Sequence, residues 1–72
     1  MPSWRDLKRF CEKDDWELYK DTDHYFYRKE DGNGIIRRTK VSKGTSEIKG
    51  NLWQIILKKQ LQVSMDYFNS KI

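Results

Sequence analysis

Residues 24–41 of this chain read HYFYRKEDGNGIIRRTKV, which is two runs of strand-forming residues on either side of a glycine-rich turn. The aromatic run His24–Arg28 and the run Ile35–Val41 are both rich in residues that favour extended backbone. Between them, Asp31-Gly32-Asn33-Gly34 contains two overlapping dipeptides of the kind that close β-hairpins. This stretch therefore predicts two antiparallel strands joined by a tight turn.

A helix and one further strand are predicted before this hairpin. Ser3 is a good N-cap with Asp6 three residues on, and apolar residues then recur at helical spacing. The helix should end at Asp14-Asp15, since aspartate favours turns over helix interiors. The alternating segment Trp16–Tyr19 predicts a strand, and Lys20–Asp23 predicts the turn that leads into His24.

A second helix is predicted after the hairpin. Ser42–Gly50 is polar and reads as a loop, and Asn51 then offers an N-cap with Gln54 three residues on. The expected core face of this helix is Leu52, Ile55 and Ile56. A second apolar stripe consists of Trp53, Leu57 and Leu61, and in so small a protein we expect most of this wide apolar arc to be buried and not left for a partner. Val63–Phe68 should form a short terminal turn whose aromatic residues close the core.

The element order is thus α-β-β-β-α, and it predicts one α+β domain over residues 1–72. Chains of this length lie near the lower limit at which a single core can form without a disulfide or a metal. We expect a three-stranded antiparallel sheet with both helices on one face, which leaves the other face to solvent or a ligand.

Composition narrows the classes of function. The net charge is +4, but residues 1–31 carry seven basic and nine acidic side chains whereas residues 32–72 carry eight basic and two acidic ones. A net charge of +6 in the second part suits a polyanion, although a solvated surface would read the same. One cysteine, Cys11, and one histidine cannot form a four-ligand zinc site, and no cofactor motif is present. We expect a cytoplasmic protein with no signal peptide and no membrane-spanning segment.

His24 is the only histidine, and it is the one side chain suited to exchange a proton near neutral pH, because histidine ordinarily titrates at about 6.5. A lone histidine at a strand start is more often an ordinary polar residue than a catalyst. A catalytic reading therefore needs support from the surrounding pattern.

That pattern resembles the HicA-type mRNA interferase toxins, which share this element order and a fold similar to double-stranded RNA-binding domains. The resemblance runs from about Leu7 to Leu61. Three segments carry it: Asp15-Trp16-Glu17-Leu18, His24-Tyr25-Phe26-Tyr27-Arg28 followed by Asp31-Gly32, and Glu47-Ile48-Lys49-Gly50-Asn51-Leu52 leading into Ile55-Ile56-Leu57-Lys58. The family's catalytic histidine matches His24, while Thr22-Asp23 replaces a Gly-Ser pair of the family.

The resemblance implies an endoribonuclease that cleaves mRNA without a metal and is neutralised by a HicB-type antitoxin. His24 would be the general base, and the residues expected to bind RNA are Arg37, Arg38, Lys40 and Lys43. Because successive strand residues point to opposite faces, we expect Arg38 and Lys40 to share one face and Arg37 to lie on the other. Two other classes stay open. One is a non-catalytic RNA-binding module, such as a degenerate homologue of the toxins. The other is a protein-interaction domain that binds an acidic partner through Trp53 and the open sheet face.

Overall fold

The computed structural model describes residues 2–72, which form an α+β fold with the predicted α-β-β-β-α arrangement. The three strands form one antiparallel sheet in the order β1-β2-β3. The elements are α1 (Trp4–Lys13), β1 (Glu17–Asp21), β2 (His24–Glu30), β3 (Ile36–Ser42), α2 (Gly50–Ile55), a π-helical segment (Ile56–Leu61) and α3 (Met65–Ser70). No helix within residues 2–72 is long and apolar enough to cross a membrane.

The first helix begins and ends where the sequence predicts. Ser3 Oγ accepts a hydrogen bond from the Asp6 N–H at 3.2 Å, and the Asp6 carboxylate accepts one from the Ser3 N–H at 3.0 Å. This reciprocal capping satisfies two backbone donors that a helix start leaves unpaired. At the other end Asp14 is the C-cap, and Asp15 adopts a left-handed conformation with φ of 61°.

The β2–β3 hairpin is also confirmed, and a carboxylate organises its turn. Asp31 Oδ1 accepts hydrogen bonds from the N–H groups of Asn33 at 2.8 Å and Ile35 at 3.1 Å. Gly34 has φ of 80°, a conformation that glycine adopts without a steric penalty. The two strands then pair without interruption from Glu30 and Ile36 to the other end of β2.

The predicted turn before β2 is too long. Lys20 and Asp21 belong to β1, which continues past an irregularity at Tyr19 and pairs with the first residues of β2. The connection is therefore only Thr22-Asp23, and the Thr22 N–H donates to the His24 carbonyl oxygen at 3.1 Å. The sequence pattern does not predict this extension of β1, because a bulge breaks the alternation of side chains on which strand prediction relies.

The second helix begins earlier than predicted, and of its expected core face it buries only Ile56, together with the second apolar stripe. Lys49, not Asn51, is its N-cap, because backbone bonds between residues 46–48 and the N-terminal segment fix the chain just before Gly50. The expected core residues Leu52 and Ile55 are 40% and 51% exposed. The buried residues are Trp53, Ile56, Leu57 and Leu61. The large Trp53 ring sets this rotation by packing into the core, 4.7 Å from the ring of Phe68.

The C-terminal segment is a six-residue helix and not the short turn that the sequence predicts. Ser64 Oγ caps it by accepting a hydrogen bond from the Tyr67 N–H at 3.1 Å. Phe68 is fully buried and stacks on Phe10 of α1 with ring centroids 4.9 Å apart. The expectation that aromatic residues near the C-terminus close the core is correct for Phe68.

Candidate functional site

The two faces of the sheet differ in what covers them. Tyr27, Thr39 and Val41 point towards the helices, and each is at most 4% exposed. Because successive residues of a strand point to opposite faces, the residues next to Tyr27, Thr39 and Val41 in β2 and β3 project away from the helices. We call this second surface the open face; besides Glu17, Glu30, Ile36 and Ser42, its aromatic and cationic residues and its histidine are Tyr19, Lys20, His24, Phe26, Arg28, Arg38 and Lys40.

Strand register arranges the open face in rows. Phe26 is paired with Lys20 on one side and Lys40 on the other, so an aromatic ring lies between two ammonium-bearing side chains. His24 pairs with Ser42 one row further along β2. Lys40 is thus the diagonal neighbour of His24, a relation that separates Cβ atoms by about 7–8 Å. A lysine side chain is long enough to reach a group held at His24.

Three rings lie in sequence on this face. The centroid of Phe26 is 6.2 Å from that of Tyr19 and 6.4 Å from that of His24. Cations of the same face cover two of them, since Lys20 Nζ lies 5.2 Å from the Phe26 centroid and the Arg28 guanidinium 5.2 Å from that of Tyr19. Exposed contacts of this kind contribute only about 0.5–1 kcal/mol. A ligand that stacks on the rings can therefore displace them.

A shallow groove of about 220 Å³ crosses the open face and the edge at β3. At that edge Gln60 Oε1 accepts a hydrogen bond from Thr39 Oγ1 at 2.7 Å, which fixes the π-helical segment against β3. The groove is lined by Tyr19, Phe26, Arg38, Thr39, Lys40 and Gln60. Aromatic and cationic groups thus converge on one concave surface.

The His24 ring is partly exposed, and its two nitrogens are not equivalent. Nδ1 is buried without a hydrogen-bond partner, which leaves Nε2 as the nitrogen that a ligand can meet. The adjacent Asp23 carboxylate accepts a hydrogen bond from the Thr22 hydroxyl at 3.0 Å. That bond is the main reason why the pKa of Asp23 lies below its usual value. Asp23 is therefore held in its own turn.

The structure brings together only part of the predicted site. His24, Arg38 and Lys40 share the open face, whereas Arg37 lies on the covered face. Arg37 Nη1 donates to the Leu61 carbonyl oxygen at 2.7 Å, and its guanidinium lies 5.6 Å from the Trp16 ring centroid. These contacts tie Arg37 to the fold.

Lys43 is also engaged within the chain. It forms a 2.5 Å ion pair with Asp21, a hydrogen-bonded contact that raises the pKa of Lys43, and its Nζ lies 4.8 Å from the Tyr25 ring centroid.

Four of the aromatic and cationic residues of the open face were not predicted from the sequence. Alternation along β2 could have placed Phe26 and Arg28 beside His24. No sequence signal marks Tyr19 and Lys20, because the bulge decides where they point.

The acidic turn after α1 has a structural role. Asp14 is 4% exposed, and its carboxylate accepts hydrogen bonds from the Trp16 indole at 3.0 Å and from the Tyr67 hydroxyl, with Lys29 Nζ at 3.1 Å. Burial raises the pKa of Asp14, but the hydrogen bonds from Tyr67, Lys29 and Trp16 outweigh it and hold the pKa below its usual value. Among residues 2–72, no three metal-ligating side chains form a group that could hold an ion.

Trp53, which the protein-interaction hypothesis requires at the surface, is 1% exposed and packs on Phe68. It is therefore not available to a partner in this fold.

Comparisons with protein-family models, with curated proteins and with solved structures find no match to this chain.

Proposed function

We propose that this protein is a HicA-like endoribonuclease that cleaves mRNA without a metal ion, with His24 as general base. The observation that carries the proposal is the grouping of the only histidine with Arg38 and Lys40 on one open face. A base beside free cations is what cleavage at a phosphodiester requires, because the reaction removes a proton and builds negative charge on the phosphate oxygens.

In the proposed reaction His24 Nε2 takes the proton of the ribose 2′-hydroxyl. The 2′-oxygen attacks the adjacent phosphorus, the bond from phosphorus to the 5′-oxygen breaks, and that oxygen takes a proton from water. Lys40, one row away on the neighbouring strand, stabilises the charge on the phosphate oxygens as the fifth bond forms. The products are a 2′,3′-cyclic phosphate and a free 5′-hydroxyl.

The proposal assigns different roles to the four basic residues predicted to bind RNA. Arg38 and Lys40 contact the substrate. Arg37 and Lys43 support the fold, since Arg37 is bonded to Leu61 and Lys43 to Asp21. A HicB-type antitoxin would neutralise the enzyme by covering His24 with acidic side chains that meet Arg38 and Lys40, so RNA and antitoxin should compete.

One observation favours a second candidate, a non-catalytic RNA-binding module. A catalytic histidine commonly has a partner that orients the ring through the second nitrogen, and Nδ1 of His24 has none. In this candidate His24 only contacts the phosphate or the 2′-hydroxyl.

An RNA cleavage assay in the presence of EDTA separates the two candidates. The nuclease should cut RNA under these conditions and leave 2′,3′-cyclic phosphate ends, which product digestion and mass spectrometry identify. His24→Gln, purified identically, controls for a contaminating nuclease. Salt-sensitive RNA binding without His24-dependent cleavage supports the binding module, and cleavage that disappears with EDTA and returns with Mg²⁺ overturns the proposed mechanism.

A further inference from the structure

We propose that Tyr19 and Phe26 stack two bases of single-stranded RNA and so place the adjoining phosphate at His24. This inference rests on the proposed function for the role of His24, but it concerns the substrate: the open face selects unpaired RNA over duplex RNA. The juxtaposition behind it is the row of rings Tyr19, Phe26 and His24, of which Tyr19 and Phe26 line a groove together with Arg38 and Lys40.

The aromatic side chains favour an unpaired strand as the ligand. Duplex RNA hides the faces of its bases and is recognised through its phosphates and 2′-hydroxyls, for which an exposed aromatic ring has no use. An unpaired strand offers those base faces, and proteins that bind it combine a basic groove with aromatic rings. Tyr19 and Phe26 do not contribute to the core, which lies on the other face of the sheet, and Tyr19 is 39% exposed.

The geometry leaves each ring able to hold one base. The Tyr19 and Phe26 rings are tilted by 55° to each other, and the Phe26 and His24 rings by 74°. The rings therefore do not stack on one another; Lys20 lies over the Phe26 ring and Arg28 over the Tyr19 ring. A base that stacks on Phe26 displaces the Lys20 ammonium towards the neighbouring phosphate, so ring and cation bind two parts of the same nucleotide.

Charge on the face complements a phosphate backbone. Lys20 and Lys40 flank Phe26 across the sheet, and in the next row Arg28 lies directly opposite Arg38. Among the carboxylates near these cations, Glu17 is bonded to Arg28 Nε at 2.6 Å, Glu30 lies at the far end of β2, and Asp23 accepts a hydrogen bond from Thr22 in the turn before His24. The row next to His24 thus carries the cations Lys20 and Lys40 on either side of Phe26, which is where the scissile phosphate is expected.

Binding is best tested on RNA that the enzyme cannot cut. A fluorescein-labelled 2′-O-methyl oligonucleotide of about 12 nucleotides, within the usual range of site sizes, lacks the attacking hydroxyl and can be used with the active protein. Its affinity, measured by anisotropy at several salt concentrations, is compared with that of the same sequence annealed to its complement. We expect the single strand to bind about tenfold more tightly than the duplex.

Two variants isolate stacking from charge. Tyr19→Leu and Phe26→Leu keep apolar bulk but remove the ring, and each should weaken single-strand binding about tenfold without changing the salt dependence. Leu18→Ala is the matched control, since Leu18 is an exposed residue of the same strand outside the groove, and it should bind normally. A 2-aminopurine base in the oligonucleotide should be quenched by the wild type and less by either leucine variant.

Circular dichroism tests whether each variant is folded. If Phe26→Leu does not fold, the variant at the exposed position Tyr19 decides the result. Duplex binding as tight as single-strand binding, or a folded Tyr19→Leu variant with wild-type affinity and quenching, overturns the inference. The nuclease proposal can fail separately. If RNA binding depends on Tyr19 and Phe26 but cleavage does not depend on His24, the stacking inference is supported and the nuclease proposal is overturned. If RNA is cleaved but its binding does not depend on the two rings, only the nuclease proposal is supported. Absence of RNA binding at low salt overturns both.

Discussion

The open face around His24 and the cluster around Asp14 contain the same kinds of side chain and use them differently. At Asp14 an indole, a phenol and a lysine all bind one carboxylate, and almost no solvent reaches it. On the open face the cations lie on partly exposed rings, and Nε2 of His24 is the nitrogen that a ligand can meet. Polar groups that satisfy one another stabilise a fold, whereas groups left unsatisfied are available to a ligand.

The contrast is sharpest along β3, where it divides neighbouring residues. Arg37 faces the helices and donates to the Leu61 carbonyl, while Arg38 faces outwards and lines the groove. Two adjacent arginines of equal charge thus lie in different surroundings. Counting basic residues in the sequence cannot separate them.

The largest expected effect concerns His24. In His24→Ala the rate of RNA cleavage should fall on the order of a hundred- to ten-thousand-fold, the usual cost of losing a general base. Stability should change by less than about 0.5 kcal/mol, because the ring makes no hydrogen bond through Nδ1. Urea denaturation and an RNA cleavage time course measure the two quantities. Retained cleavage in the folded variant contradicts the role of His24 as base.

Asp14→Asn should have the opposite profile. The substitution removes the charge that three donors share, and we expect it to cost on the order of 2–4 kcal/mol of unfolding free energy. This is most of what a core of this size supplies. RNA affinity per folded molecule should stay unchanged, which anisotropy below the melting temperature checks. A loss of affinity without a loss of stability would place Asp14 in the binding site.

The same carboxylate predicts how stability depends on pH. Because the pKa of folded Asp14 is lowered, its contribution is fully present above the pKa of an unfolded aspartate, about 3.9, and is lost as the pH falls through the folded value. Stability should therefore decline below about pH 4. Thermal melts from pH 7 to pH 2.5 should show a weaker decline in Asp14→Asn. The remaining decline includes Asp23, whose pKa is also lowered.

Arg37→Gln and Arg38→Gln form a matched pair with a smaller effect. Losing the bond to Leu61 should cost Arg37→Gln about 1–3 kcal/mol, whereas Arg38→Gln should stay within about 0.5 kcal/mol of the wild type. In RNA binding, Arg38→Gln alone should reduce the slope of log affinity against log salt by about 0.7. Equal behaviour of the two variants in both assays would contradict the division of β3 into two faces.

Glu17→Gln should have the smallest effect. Glu17 and Arg28 form an exposed ion pair of the kind that contributes about 0–1 kcal/mol, so stability should barely change. Removing this carboxylate frees Arg28 and makes the open face more cationic, and RNA affinity should rise a few-fold at low salt. The gain should disappear at high salt, and a gain that persists there would require a cause other than charge.

Local chemistry made several elements predictable. Ser3 and Asp6 cap each other across one turn of helix, and Asp31 and Gly34 shape the hairpin without help from distant residues. The alternation of β3 likewise placed Arg38 and Lys40 together, away from Arg37. Each of these features depends on residues within a few positions of one another, and short-range patterns carry that information.

By itself the sequence determined the order of elements, the sheet and the presence of a single histidine at the start of β2. Only the tertiary structure decided the rotation of α2, because the burial of Trp53 against Phe68 outweighs the alternative stripe through Leu52 and Ile55. It also made a structural residue of Asp14 by bringing Tyr67 from the far end of the chain to its carboxylate. Such assignments depend on contacts between distant parts of the chain, and the free energy of those contacts arises only once the core has closed.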